Sequence, residues 1–593
     1  VPPVQLTKNA QRVLEARYLK RGDEREIVES ADELFQRVAK AVSEAELAFG
    51  SSRDAGTWES RYLELLTSLE FLPNSPTLMN AGTTLGQLSA CFVLPIEDEM
   101  ESIFEAVKRM ALVQRTGGGT GFSFSHLRPK GDVVRSTGGE ASGPVSFMRI
   151  FDSATENIKQ GGRRRGANLG VLRVDHPDIL GFVRAKLEEG RLRNFNISVG
   201  VTDAFFESVR NDDDYALVHP TTGRTVSRLR AREVFDAIID AAWQCGDPGL
   251  LFLDAIDRAN PLPRLGRIEA ANPCGEVPLL PYESCNLGSI HLVRMLREDA
   301  GTYELDWTKL SDTVKTAVRF LDDVLEVNRY PYPEIERLTR ANRKIGLGVM
   351  GFAELLIRMG ISYDSPEAVA IADKLMGFIA ESALRASEEL AEARGVFPNW
   401  KLSTYASNGV EVRNATRLAI APTGTIGIIA GTSPSIEPLF ALSYRRKHVL
   451  GNEVLVEVNA IARECIARVS GDVDRIMKEV LAQGSLARIT NVPDSLKRLL
   501  VTALDVPPDR HLEIQAALQR HVDNSVSKTI NLPETASQEE VARIYRKAWE
   551  LGLKGITIYR YGSKGSQVIE LGAEESAEQY DAGSRCDPFE CRV

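Results

Sequence analysis

From about residue 71 to 563, short apolar runs alternate with amphipathic helical patterns, and no Pro/Gly/Ser-rich linker interrupts them. Alternation of this kind asks for a largely parallel sheet covered by helices. Phe195-Asn196-Ile197-Ser198-Val199 reads as a strand, and Ala231 to Cys245 as a helix ended by Gly246. Arg417-Leu418-Ala419-Ile420 and Ile556-Thr557-Ile558-Tyr559 read as buried strands. Ahead of this block, Ala31 to Ala48 carries apolar residues at three- and four-residue spacing, so residues 1–70 are expected to be helical. After Tyr561 the composition shifts through Gly562-Ser563-Lys564-Gly565-Ser566 to the acidic Glu574-Glu575-Ser576-Ala577-Glu578. That stretch has little to bury and is expected to be a flexible tail. The organisation expected is a helical region over 1–70, one large α/β domain over 71–563, and a tail over 564–593.

Bulk properties narrow the function. A net charge of −10 argues against a mainly electrostatic grip on nucleic acid. No run of about 18 apolar residues exists, so no membrane span is expected. Val1-Pro2-Pro3-Val4-Gln5 has no apolar signal core. Seven cysteines in 593 residues are too sparse for a disulfide scaffold, so a reducing cytoplasm is expected, where cysteine pairs tend to be catalytic or metal-binding.

Five of those cysteines read as one redox relay. Cys274 lies in Asn272-Pro273-Cys274-Gly275-Glu276, where Pro273 and Gly275 enforce a turn. A turn can bring an amide, a thiol and a carboxylate to one point. An inert buried loop cysteine is the ordinary alternative, but Glu276 beside it needs a reason to be buried. Cys285 follows in Glu283-Ser284-Cys285-Asn286, and Cys91 lies upstream in Ser89-Ala90-Cys91-Phe92. Cys586 and Cys591 sit on the tail, where no further His or Cys completes a metal site. A mobile dithiol can instead reduce a buried disulfide by exchange. Cys245 and Cys465 fall within helical patterns and read as core or incidental.

Other runs offer ligand-holding backbone. Ala421-Pro422-Thr423-Gly424-Thr425-Ile426 follows the 417–420 run and can present N–H groups to an anion, though a plain strand-ending turn reads equally well. Lys159-Gln160-Gly161-Gly162-Arg163-Arg164-Arg165 sets guanidinium forks between glycines, as phosphate or nucleobase recognition would need; a solvated basic loop is the bland reading. Gly346-Leu347-Gly348-Val349-Met350-Gly351 fits a dinucleotide fingerprint, but the residues before it are too polar for the buried strand that fingerprint requires.

Taken together these motifs resemble the catalytic chain of a ribonucleotide reductase. The resemblance runs from about residue 70 to 562, plus the tail dithiol. It rests on Asn272–Glu276 with Cys285, Pro76-Thr77-Leu78-Met79-Asn80-Ala81-Gly82 with Cys91, Ala421–Thr425, and His521-Val522-Asp523-Asn524-Ser525. It implies a ten-stranded α/β barrel with Cys274 on a central finger loop, preceded by the small helical region. By resemblance, Cys274 is the transient thiyl that removes the substrate's 3′ hydrogen, Glu276 the general base for the 3′-hydroxyl, and Asn272 a ribose ligand. Cys91 and Cys285 would supply the electrons and end as a disulfide, which Cys586 and Cys591 would re-reduce, drawing on a thioredoxin- or glutaredoxin-like donor. Substrate contacts would fall at Thr77, Ala90, Gly119, Pro422, Thr423, Gly424, Thr425 and Ile426. Nucleotide effectors, deoxynucleoside triphosphates or ATP, would bind near Asp98, Arg128 and the 131–145 loop, with Gln160 and Arg164 on the loop that transmits base identity. An effector site of this kind implies a homodimer.

The class within the family turns on one segment. Where aerobic two-subunit reductases carry adjacent tyrosines that pass a radical in, this chain has Thr557 and Ile558. That points to the adenosylcobalamin-dependent class, whose cofactor needs no protein histidine; no metal site is expected. The alternatives are a large subunit served by a separate metal-bearing radical subunit, a nucleotide-binding regulator with dead chemistry, and a simple thiol-disulfide oxidoreductase. The last lacks a C-x-x-C motif.

Overall fold

A computed structural model describes residues 3–134, 138–160, 164–188, 190–450, 453–563 and 569–570. The tail cysteines Cys586 and Cys591 lie outside the described residues, as does part of the Arg/Gly run at 161–163.

The N-terminal region is helical because its sequence caps and patterns it so. Ser30 caps helix Ala31–Ser43, accepting from Glu33 N while the Glu33 carboxylate accepts from Ser30 N. Leu34, Phe35, Val38, Ala39 and Val42 form one buried stripe. A single turn of tighter helix, Glu44–Ala48, completes the run that the spacing predicts. Helices Lys8–Arg17, Ala31–Ser43 and Ser52–Thr67 share one apolar core with the long helices Trp307–Val327 and Pro366–Arg394.

Beyond them stands a ten-stranded sheet. Strands Cys91–Val93, Gly119–Ser123, Asn168–Arg173, Phe195–Val201 and Gly249–Phe252 run parallel to one another. A second parallel set contains Ser284–His291, Ile345–Met350, Thr529–Leu532 and Gly555–Arg560. Single bridges Leu347↔Leu418 and Ile420↔Val526 tie the extended 417–420 run into this set, so the run completes the wall without forming a regular strand of its own. The two sets meet antiparallel at both seams, Gly249–Phe252 against Gly555–Arg560 and Cys91–Val93 against Ser284–His291. Strand Phe71–Pro73 adds to the far half of Ser284–His291. The glycine motif at 346–350 is itself a strand, every residue buried in the wall, which removes any nucleotide-loop reading. Among the described residues no helix is long and apolar enough to cross a membrane.

A buried ion network fastens the helical region to the barrel. Arg394 donates to Glu46 at 2.7 Å, Asp323 at 2.7 Å and Asp322 at 3.0 Å. Arg343 meets Asp322 at 2.8 Å, and the Tyr62 hydroxyl donates to Asp323 at 2.6 Å. Burial alone would raise both aspartates. Around Asp322 the Arg343, Arg413 and Arg394 guanidiniums outweigh it and hold the carboxyl at about 2. Asp323, with Glu46 and Asp322 beside it, is pushed up to about 8. Removing one partner of such a network strands the others. Arg394→Met is therefore expected to cost about 3–5 kcal/mol, measured as a fall in the denaturant midpoint; an unchanged midpoint would contradict this account.

Candidate active site

The loop carrying Cys274 projects from a short hairpin in which Ala270 faces Leu279 and Ala271 faces Pro278. Its tip is closed by Gly275 N donating to Asn272 O at 2.9 Å, with Gly275 at φ +78°, and by Val277 N donating to the Asn272 side chain at 2.9 Å. The barrel wall is shaped to receive this hairpin. A β-carbon on Gly121 would lie 1.7 Å from the Ala271 carbonyl oxygen, and one on Gly119 would lie 2.8 Å from the Pro273 ring. Asn196 donates to the Pro273 carbonyl at 2.9 Å, and Ser525 N donates to the Glu276 carbonyl at 2.8 Å. The finger is thus gripped from both parallel sets.

Around it the five residues singled out by sequence converge. Cys91 and Cys285 are register partners across the antiparallel seam. Directly opposed residues of such a pair hold their β-carbons about 4.5–5.5 Å apart, a small adjustment from disulfide geometry. Both thiols are buried. Burial, then the charge of Glu276 and the neighbouring Cys285 and Cys274, push the Cys91 thiol well up, while the Asn272 side chain hydrogen-bonds it. Burial likewise pushes Cys285 up, against the opposing charge of Lys344. Both are therefore thiols at neutral pH, with protons to give. Glu276 is 0% exposed and Asn272 2%; Cys274 is partly open.

Two cavities are lined by barrel residues, and the finger itself lines the larger. The larger, about 850 Å3 counted with the solvent at its mouth, is lined by Cys274, Asn196, Ser198, Lys528, Thr557 and Tyr559 among others. The smaller, about 330 Å3, is lined by Asn74, Ser75, Gly288, Thr423, Gly424 and Thr425. There the helix Gly424–Ala430 begins after Thr423, which holds φ +52° and accepts from Ser435 N at 2.7 Å through its hydroxyl. Ala421 and Ile426 also line this cavity, whereas Pro422 does not. Thr77 sits two residues beyond Ser75, fully buried, its hydroxyl donating to the Asn74 side chain and the Leu88 carbonyl. The Ala90 carbonyl accepts from Gly119 N at 2.8 Å, beside Cys91.

A family model described as the ribonucleotide reductase barrel domain matches residues 89–412 and 408–559, and one described as the ribonucleotide reductase all-alpha domain matches residues 4–86. The chain belongs to the ribonucleotide reductase family. It is 52% identical to a vitamin B12-dependent ribonucleoside-diphosphate reductase of Mycobacterium tuberculosis, covering 96% of this chain and 81% of that one. It is 48% identical to the protein of the same description from Thermoplasma acidophilum, covering 97% and 81%. In fold it superposes on the class Id ribonucleotide reductase alpha subunit of Actinobacillus ureae with a TM-score of 0.77 at 22% identity, over 95% of this chain and 99% of that one.

The candidate effector residues Asp98 and Arg128 line neither cavity. Asp98 and Arg128 meet each other, Arg128 Nε donating at 2.7 Å and its main-chain N at 3.1 Å. Gln160 pairs with Arg164 in a short hairpin whose side chains lie outside the description. Thr557 and Ile558 both line the large cavity. Among the described residues no cluster of three or more His, Cys, Asp or Glu is placed to hold a metal ion. Sequence reasoning missed Asn196 and the buried cations Lys344, Lys528 and Lys554, these three each standing just before an apolar strand. A lone lysine at the head of a run otherwise fit for a barrel wall was the available signal.

The close approach of Gly121 to the finger yields a direct test. Gly121→Ala forces Ala271 and the finger to shift, so kcat is expected to fall about 100-fold, the scale of a 1 Å misplacement, with the barrel still folded by circular dichroism. Retained wild-type kcat would show that finger position is not set by this contact.

Proposed function

We propose that this reductase converts ribonucleotides to 2′-deoxyribonucleotides with adenosylcobalamin as its radical source. The observation that carries the reading is the convergence of Cys274, Glu276 and Asn272 on one finger with Cys91 and Cys285 opposed beside it. The vitamin B12 dependence that names these relatives supports the cofactor, as do Thr557 and Ile558 where a radical-passing tyrosine pair would stand.

The large cavity suits such a cofactor. It opens to solvent and reaches Cys274, and it offers neutral donors and acceptors in Asn196, Ser198, Ser527 and Thr557 to a nucleoside moiety. Bound there, adenosylcobalamin would supply the one-electron oxidant for a thiol at the cavity wall. The protein does the rest. Substrate phosphates lie against the turn Thr423, Gly424 and Thr425, with Thr77 buried behind Asn74 and with Ala90 and Gly119 beside Cys91. Cys274 as a thiyl takes the 3′ hydrogen, and Glu276 takes the 3′-hydroxyl proton as general base. The 2′-hydroxyl leaves as water; Cys91 and Cys285 give two protons and two electrons and become a disulfide. Cys274 then returns its hydrogen to C3′, and Glu276 returns its proton to the 3′ oxygen. Burial of the centre keeps water from quenching the radical. The disulfide is reduced by Cys586 and Cys591, and these by a small dithiol protein of the thioredoxin or glutaredoxin kind.

Regulation follows the same reading. Asp98 and Arg128 anchor a nucleotide effector, and Gln160 and Arg164 relay its identity. Two copies associate through helix Met100–Arg115, whose Met100 and Phe104 are exposed on one face at 59% and 48%. The thiol chemistry and sparse cysteine usage fit a cytoplasmic setting.

The deciding assay supplies adenosylcobalamin, dithiothreitol and ribonucleotide with no second protein. Deoxynucleotide should form, and Cys274→Ser should abolish turnover while sparing effector binding. Product that appears only when a metal-bearing partner subunit is added would overturn the cofactor assignment.

A further inference from the structure

Four buried cations stand at the heads of the second parallel set. Three meet carboxylates: Lys344 with Glu283 at 2.7 Å, Arg417 with Asp523 at 2.8 Å, and Lys528 with Glu437 at 2.5 Å. Lys554 differs. It is 6% exposed, and its ammonium donates to three consecutive main-chain carbonyls, Val522 at 3.3 Å, Asp523 at 2.7 Å and Asn524 at 2.5 Å. Burial pushes it down to about 8, with Asp523 opposing. Stability alone gives little reason to keep a buried charge in such a place.

The carbonyls it gathers lead straight to the finger. The Asn524 carbonyl and the Ser525 N–H belong to one planar peptide unit and point to opposite sides of it. Lys554 binds one end of that plane, and Ser525 N binds the Glu276 carbonyl at 2.8 Å from the other. The run Lys554 Nζ–H, Asn524 C=O, Ser525 N–H, Glu276 C=O is a continuous hydrogen-bond chain, each member polarising the next. The same segment is braced laterally: Asp523 accepts from Arg417 N and Leu418 N, and Asn524 donates to Leu418 O at 2.9 Å. Among the described contacts, the Ser525 link is the one by which this bracing reaches Glu276.

We propose that Lys554 is a positioning residue for the reaction, its ammonium fixing the Asn524–Ser525 peptide plane and through it the backbone of Glu276. The inference rests on Glu276 acting as the general base. The 423–425 turn has its own anchor in Ser435 N donating to the Thr423 hydroxyl at 2.7 Å, while its preceding run meets this segment through Ile420 N donating to Ser525 O at 3.2 Å; loss of Lys554 should therefore act chiefly on the chemical step and leave nucleotide binding largely intact.

The test uses the full chain with adenosylcobalamin, effector and dithiothreitol. Lys554→Met should lower kcat about 10- to 100-fold with KM for the ribonucleotide within about two-fold. Lys554→Arg, which restores a charged donor, should recover most of the loss. Glu276→Gln run in parallel separates the two claims. If Glu276→Gln keeps turnover, the general-base reading fails. If Glu276→Gln is inactive but Lys554→Met has wild-type kcat, or loses kcat without recovery in Lys554→Arg, the positioning role fails. Should Lys554→Met not fold, Lys554→Gln keeps amide donors without charge, and wild-type kcat in that variant overturns the proposal equally.

Discussion

Everything at the centre of this reductase depends on how the barrel closes on its own hairpin. The wall must open at Gly121 to admit the Ala271 carbonyl, because any β-carbon there would overlap it. It must also grip the finger from both sides, through Asn196 to Pro273 and Ser525 to Glu276. The Ser525–Glu276 contact joins main chain to main chain, with no rotamer to change, and the Asn196 side chain holds Pro273 from the other set. The antiparallel seam then does a separate job. It is where two parallel sets change direction, and it opposes Cys91 to Cys285 without any loop between them.

The site's charge arrangement follows from its dryness. The Cys91 and Cys285 thiols stay protonated because burial disfavours their anions. The cations of the second set stand at strand heads, where carboxylates or carbonyls meet them, and away from the apolar middle of the wall. The helical region is attached by charge as well as by its apolar core, through Arg394 to Glu46, Asp322 and Asp323.

Much of this was legible in the chain. Periodicity alone predicts the helix Ala231–Cys245 and its stop at Gly246, and the structure has both, with Gly246 in the left-handed conformation. Asn272-Pro273-Cys274-Gly275-Glu276 reads as a turn because its proline and glycine permit little else. What sequence could not supply was proximity. The opposition of Cys91 and Cys285 depends on strand register set by contacts nearly two hundred residues apart in the chain. The glycine-rich run Arg115–Gly121 reads as backbone suited to a close approach, but that the Ala271 carbonyl is what approaches Gly121 depends on the fold. The 417–420 run misled in a milder way: apolar and buried as a strand should be, it is held by single bridges and by the Asp523 carboxylate.

On this reading one finger presents Cys274 to a nucleotide whose ribose lies between it and the Cys91–Cys285 seam. A structure of the chain with bound ribonucleotide and effector tests it most directly. The account predicts the ribose C3′ about 3–3.5 Å from Cys274 Sγ, the separation of reacting atoms poised to meet, with the 2′-hydroxyl toward Cys91 and the phosphates on Thr423–Thr425. A nucleotide seated with its ribose away from the finger, or with its phosphates elsewhere, would contradict it.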